Sequence, residues 1–169
     1  MADVNSTLAA NRDAVNSLVT AAEGCKDVWT TPRSPGKWSP SQIVEHVARS
    51  LDESANLVSG APTKFPNLPF FLRPVARGFL FNRVLRTGAF PKAKTNKAMD
   101  PASGPTTPTE ARRRLEGALA RFDRECRACA EAGNGTIASG AFGRIPLVDY
   151  ARFIEIHTRH HCKQMPVAT

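Results

Sequence analysis

Residues 38–50 read WSPSQIVEHVARS, and this stretch predicts the beginning of a long amphipathic helix. Ser39 is a typical N-cap residue, Pro40 suits the first helical position, and Gln42 can close a capping box. The predicted helix continues to about Ser59, where a glycine and a proline follow. Its apolar positions recur at helical spacing, at Ile43, Val47 and Leu51. This stretch therefore predicts a long, capped helix, and it favours a helical fold for the chain.

The single histidine of this helix, His46, lies beside the apolar face rather than at its centre. Its neighbours around the helix are Gln42, Ser50 and Glu53, which form a polar stripe. Considered alone, His46 is typical of a residue at the boundary of a core.

Three further long helices are predicted outward from this one. They are Asn5 to Glu23, Thr107 to about Gly133, and Pro146 to about Met165. The third of the four begins with a Thr107 cap, a proline at the first position and Glu110 as a second box-closing residue. The segment from Thr136 to Phe142 suits a short extended piece, but nothing in it demands a sheet. The pattern predicts an all-α four-helix bundle formed by one domain, residues 1–169.

Residues 61–106 separate the second and third long helices and contain seven prolines. Within them, residues 70–87 predict a short helix with Pro74 in its first turn. The segment is cationic and aromatic. Its basic residues include Arg73, Arg77, Arg83, Arg86, Lys92, Lys94 and Lys97, and its phenylalanines include Phe70, Phe71, Phe79, Phe81 and Phe90. Packing against the bundle is the favoured interpretation; an anionic membrane, nucleic acid or the cap of a substrate pocket are alternatives.

The last helix contains His157 and His161 at i, i+4 spacing, where a bundle ordinarily places leucine or isoleucine. Side chains four apart lie on one helix face with Cβ atoms about 5–6 Å apart, so two imidazoles can bind one metal ion. A lone inward histidine is usually a hydrogen-bonded core residue, whereas a pair must satisfy two ring nitrogens away from water. His46 can supply a third imidazole, while His160 points away.

The combination of WSPSQIVEHVARS with HTRHHCKQM resembles the DinB/YfiT-like superfamily of bacterial metal-dependent proteins. Its members are four-helix bundles in which one histidine of the second helix and an HxxxH pair of the last helix bind a divalent metal. By position, the resemblance assigns these ligands to His46, His157 and His161. The long segment 61–106 departs from the shorter members and looks more like a DinB-related family of unknown function.

The resemblance implies a metal-dependent enzyme, a transferase or hydrolase, acting on a small substrate such as a low-molecular-weight thiol. Three histidines favour zinc, with nickel, iron and manganese as alternatives. Gln42, Glu53 and Gln164 are candidate hydrogen-bond partners of the ligands by helix spacing. No general base is identified, because Glu45 points about 100° away from His46 around its helix.

Composition supports a soluble globular protein with a net charge of +8. The absence of a signal peptide and of a membrane span predicts a cytoplasmic protein with four reduced cysteines. Cys126 and Cys129 are expected to be small buried or half-buried thiols rather than ligands of a zinc site. The arginines from Arg112 to Arg127 predict a solvated helix face with i, i+4 ion pairs, which makes nucleic acid a weaker candidate partner. The sequence is also compatible with a non-catalytic metal-binding or stress-response module and with a homodimer.

Overall fold

The computed structural model describes residues 3–91 and 95–166, and most of that part is helical. Its α-helices are α1 (Val4–Glu23), α2 (Pro40–Ser59), α3 (Arg73–Ala76), α4 (Arg83–Thr87), α5 (Pro108–Glu131) and α6 (Leu147–Cys162). A π-helical turn, Arg77–Asn82, joins α3 to α4, and 3₁₀ turns occupy Lys26–Val28 and Lys97–Met99. Two short strands, β1 (Thr136–Ser139) and β2 (Gly143–Pro146), precede α6. Lys92 and Lys94, two of the basic residues of the segment 61–106, lie outside the described residues.

Side-chain caps define where the two central long helices begin. At α2, the Ser39 hydroxyl accepts a hydrogen bond from the Gln42 amide, and the Gln42 side chain accepts one from the Ser39 amide. At α5, the Thr107 hydroxyl accepts from the Glu110 amide at 3.2 Å. The Glu110 carboxylate, however, accepts from the amide of Thr106 rather than from that of Thr107. The predicted capping box of α2 is therefore confirmed, whereas that of α5 is displaced by one residue.

The long helices α1, α2, α5 and α6 pack against one another around a shared apolar core. α2 packs mainly against α5, and α1 packs mainly against α6 and also against α5. α2 also contacts α6, which brings the helix that contains His46 next to the helix with the HxxxH pair. The core contains Leu8, Leu18, Leu51, Leu115, Phe122 and Leu147, all fully buried. Within the described residues, no helix is both long and apolar enough to cross a bilayer.

A β-hairpin precedes α6, in the segment where nothing in the sequence demands a sheet. β1 and β2 pair antiparallel, with Ile137 opposite Ile145, and both isoleucines are buried. Gly143 has φ of +74°, a conformation that favours glycine at the turn end of β2. The strand pattern is weak in the sequence because each strand has only four residues, and β2 runs directly into α6.

The segment 61–106 packs against the long helices with one face only. Pro74 lies in the first turn of α3, as predicted. Phe81 and Val84 are buried, and the Phe81 ring lies 5.2 Å from the ring of Phe153 in α6. In contrast, Phe70 and Phe79 are almost fully exposed. The expected packing against the helices is therefore confirmed for part of the segment and wrong for the rest.

Residues 99–105 are attached to the beginning of α2 by hydrogen bonds. The Ser41 hydroxyl donates to the carbonyl of Pro105 at 2.8 Å, and the Gln42 side chain donates to that of Pro101 at 3.1 Å. Gly104 lies so close to α2 that a Cβ added to it would come 2.2 Å from the carbonyl oxygen of Ser41. This close approach holds the end of the segment next to His46.

We expect Gly104→Ala to destabilise the protein by about 1–3 kcal/mol, because its methyl group meets backbone that cannot move freely. The matched control is Gly117→Ala in α5, where an added Cβ meets nothing within 4 Å. There the substitution removes the flexibility of glycine from a helix and should stabilise by about 0.5–1 kcal/mol. Urea denaturation followed by circular dichroism measures both; equal effects would contradict the packing of residues 99–105.

Candidate metal centre

Three imidazole rings from two helices converge on one point inside the protein. His46 extends from α2, and His157 and His161 extend from successive turns of α6. The Nε2 atom of His157 lies 3.3 Å from that of His46 and 3.1 Å from that of His161. One ring nitrogen from each of the three lies within 4.8 Å of the others. The structure thus brings together the three histidines that the sequence singled out.

The other ring nitrogen of two of these histidines faces a group that only accepts hydrogen bonds. The Nδ1 atom of His46 lies 2.9 Å from the backbone carbonyl oxygen of Met99. The Nδ1 atom of His161 lies 2.9 Å from the side-chain oxygen of Gln164. Because these oxygens cannot donate, each Nδ1 must carry the proton. In the neutral ring, the Nε2 atoms of His46 and His161 therefore present lone pairs to the shared point.

Hydrogen bonds among the three neutral rings cannot serve both of these lone pairs. His157 has one N–H in its neutral form, and that N–H can serve only one of the two facing lone pairs. Burial lowers the pKa of His46, and it lowers that of His161 to about 3, with a further contribution from the neighbouring His46. For His157, close enclosure and the two neighbouring rings lower the pKa well below its usual range. The cluster consequently stays neutral near pH 7, and at least one Nε2 lone pair receives no hydrogen bond from another ring of the cluster.

The distances suit a divalent ion. Two nitrogens that bind tetrahedral zinc at about 2.0–2.1 Å are separated from each other by about 3.3 Å. The two Nε2 separations around His157, 3.3 and 3.1 Å, fall close to this value. Within the described residues, no carboxylate or thiol joins the group. The residues therefore fit one metal ion bound by neutral imidazoles.

Aromatic rings enclose the histidines on two sides. The Trp38 ring lies 4.6 Å from the ring of His46 and 6.0 Å from that of His161. Its indole N–H donates to the carboxylate of Asp100 at 3.0 Å, which fixes the ring. Phe90, from the segment 61–106, lies 5.3 Å from the ring of His157. These rings cover part of the cluster, and the burial of the histidines lowers their pKa values.

A profile of the DinB superfamily matches residues 7–165, which is nearly the whole chain. The protein belongs to the DinB superfamily. No curated protein and no solved structure matches the chain at a significant level. The resemblance inferred from WSPSQIVEHVARS and HTRHHCKQM is thereby confirmed, and both stretches lie within the matched range.

The hydrogen-bond partners of this DinB site are only partly those predicted. Gln164 holds His161, as helix spacing suggests. Gln42 instead closes the α2 cap and binds Pro101, and the Glu53 carboxylate accepts from the backbone amide of Lys64. Among the described residues, neither side chain hydrogen-bonds to one of the three imidazoles. The partner of His46, the Met99 carbonyl, is missed by sequence reasoning because a backbone group has no signature in the sequence.

The remaining candidates lie outside the cluster. His160 accepts a hydrogen bond from the Gln164 side chain and its ring lies 5.1 Å from that of His161, but it does not belong to the group of three converging imidazoles. Glu45 pairs with Arg49 and Arg114 and points away, as expected. Cys126 is buried, and burial raises the pKa of its thiol to about 12. Cys126 is buried and Cys129 is half-buried, as expected for these two thiols, and both are free.

We expect the metal-free protein to lose stability steeply as the pH falls below about 6.5. An imidazole with a lower pKa in the folded chain binds its proton mainly after unfolding, so acid favours the unfolded state. Each such histidine contributes up to about 1.4 kcal/mol per pH unit between 6.5 and its folded value, which is about 3 for His161. Urea denaturation of chelator-treated protein at several pH values measures this slope. His161→Gln should reduce it, and an unchanged slope would contradict the neutral cluster.

Proposed function

We propose that this DinB protein is a metal-dependent enzyme that binds one divalent ion through the Nε2 atoms of His46, His157 and His161. It acts on a small substrate, by thiol transfer or by hydrolysis. The observation that carries the proposal is the orientation of two of these rings. Their Nδ1 atoms face hydrogen-bond acceptors, so their Nε2 lone pairs are directed at a shared point. The single N–H of a neutral His157 cannot donate to both of these lone pairs, whereas a metal ion can accept both.

Zinc is the ion that the donor set favours. Neutral imidazole nitrogens suit zinc, nickel and iron, whereas manganese more often has oxygen ligands. Three protein ligands on zinc are typical of catalytic sites, since structural zinc sites usually have four. Among the described residues no further His, Cys, Asp or Glu side chain joins the three histidines, which supports a centre with a position open to substrate.

A divalent ion held by neutral ligands is a Lewis acid that lowers the pKa of a coordinated water or thiol and polarises carbonyl groups. The residues of this chain orient and enclose that centre. Met99 and Gln164 fix the ring orientation of His46 and His161, and Trp38 and Phe90 exclude bulk water. A low dielectric strengthens every interaction with charge that develops during the reaction.

Thiol chemistry fits the surroundings better than hydrolysis. Attack by a metal-bound water is assisted where a side-chain base accepts its proton, and no carboxylate joins the three imidazoles in the described part of the chain. A thiol has an intrinsic pKa of about 8.5 and needs little assistance to become a nucleophile. The lack of an identifiable general base thus favours a low-molecular-weight thiol as the substrate.

The architecture that we propose is a single four-helix-bundle domain with the segment 61–106 inserted between α2 and α5. The packing of α1, α2, α5 and α6 supports the bundle. Two residues of the segment, Phe90 and Met99, lie against the histidines. The segment therefore contributes one wall of the substrate pocket in this proposal.

Purified protein should contain about one equivalent of divalent metal per chain, measured by elemental analysis. His46→Ala, His157→Ala and His161→Ala should each lose most of it, because two imidazoles bind far more weakly than three. Gln164→Leu should keep the ligands but weaken zinc affinity by about 10–100-fold, measured against a chromogenic chelator.

The matched control is His160→Ala, which removes an imidazole beside the site that does not belong to the cluster. It should retain metal, and circular dichroism would verify that every variant is folded. Equal metal content in His160→Ala and in folded His161→Ala would overturn the proposed ligand set.

Addition of a small thiol, such as 2-mercaptoethanol, to cobalt-substituted protein should produce a sulfur-to-cobalt charge-transfer band in the near ultraviolet. The position left free by three histidines admits the thiol directly to the ion. An alcohol of the same size is the control and should leave the spectrum unchanged. An unaltered spectrum with saturating thiol would exclude the thiol reaction and leave hydrolysis as the activity to assay.

A further inference from the structure

The exposed large apolar side chains of the described residues concentrate in one short segment. Phe70, Phe71 and Phe79 are 79%, 63% and 77% exposed. Leu72 and Val75 lie between them and are also exposed. We call these five side chains the apolar patch. Phe70, Phe71 and Leu72 lie in the turn that precedes α3, Val75 lies in α3, and Phe79 lies in the π-helical turn.

The patch cannot be covered by the helices on which its own segment packs. α3, the π-helical turn and α4 follow one another without a break over residues 73–87. This continuous helical stretch buries its other side, through Phe81 and Val84, against α6. Burying a phenylalanine side chain contributes about 1.5–3 kcal/mol, so three outward-facing rings forgo a large stabilisation. A concentration of exposed apolar side chains of this kind indicates an interaction surface.

The charges around the patch have a single sign. The sequence contains no Asp or Glu between Glu53 and Asp100. Four arginines lie on the segment, namely Arg73, Arg77, Arg83 and Arg86. Among the described residues, none of the four lies within 4.0 Å of a carboxylate, whereas most arginines of α5 pair with one. These cations are therefore available to an anionic partner.

The patch borders a shallow cleft that is lined by arginines. Phe70, Arg73 and Arg77 form one side, and Phe142 and Arg144 of the hairpin form the other. Arg73 and Arg77 donate hydrogen bonds to the backbone carbonyls of Leu68 and Arg144, which hold the guanidinium groups at this border. The border thus offers three positive charges beside exposed rings, a combination that suits a phosphate group attached to an apolar tail.

We propose that this face docks on the surface of an anionic lipid bilayer. The apolar patch enters the boundary between headgroups and acyl chains, and the arginines contact lipid phosphates. Aromatic and aliphatic side chains beside unpaired arginines are typical of helices that lie in the plane of a membrane surface. A second copy of the chain would bring like charges together, and nucleic acid would leave the apolar patch exposed to water.

Flotation with vesicles tests this proposal on the intact protein. Wild-type protein should bind vesicles of phosphatidylcholine with one quarter phosphatidylglycerol, should bind pure phosphatidylcholine much less, and should dissociate as salt is raised. Arg83→Gln/Arg86→Gln should weaken binding by roughly 30-fold, because each arginine near an anionic surface contributes about fivefold. Phe71→Ser/Phe79→Ser should also weaken binding, since it removes two inserting rings.

The matched control is Arg33→Gln/Arg113→Gln, which removes the same charge from exposed positions elsewhere. It should bind nearly as wild type does, which separates a local surface from a general effect of net charge. All substituted residues are exposed or half-buried, and circular dichroism would verify folding. Absence of wild-type binding at low salt, or equal loss in the control variant, would overturn the proposal. So would a wild-type dimer that Phe71→Ser/Phe79→Ser dissociates, because a second copy would then cover the patch.

Discussion

The hydrogen bond from Nδ1 of His46 to the carbonyl of Met99 links the helical core to the segment 61–106. It fixes the protonated nitrogen of the ring, and hence the direction of the lone pair on the other nitrogen. That carbonyl is in place because residues 99–105 are attached to the beginning of α2. The candidate metal centre therefore depends on a loop contact as much as on the two helices that carry the histidines.

Ion pairs on the outer side of α2 hold Glu45, the residue next to His46, away from the cluster. Glu45 precedes His46 in sequence, but its carboxylate points to a different side of the helix, where it pairs with Arg49 and Arg114. Arg114 also pairs with Asp52, so one arginine of α5 contacts two acidic residues of α2. The predicted solvated face of α5 is thus partly an interface between helices. No carboxylate belongs to the group of three imidazoles among the described residues, so neutral ligands alone would leave a bound ion its full charge.

The sequence is sufficient for features with a fixed local period. The i, i+4 spacing of His157 and His161 follows from helix geometry alone, and the Ser39 cap requires only neighbouring residues. Features that join distant residues are not predictable in this way. The Met99 carbonyl and the pairing of Ile137 with Ile145 depend on where loops return. Composition likewise does not show which phenylalanines of the segment 61–106 are buried. Phe81 is buried and Phe79 is exposed because only one side of the helical stretch 73–87 packs against α6.

The use of a backbone carbonyl to hold His46 has a consequence for how the protein can change over evolutionary time. Any residue at position 99 presents the same oxygen, so the residue type there is restricted only by the packing around its buried side chain. Adding or removing a residue between α4 and Met99, in contrast, would move the oxygen away from the ring. Related chains should therefore vary in residue type between α4 and Met99 but should keep the same number of residues there.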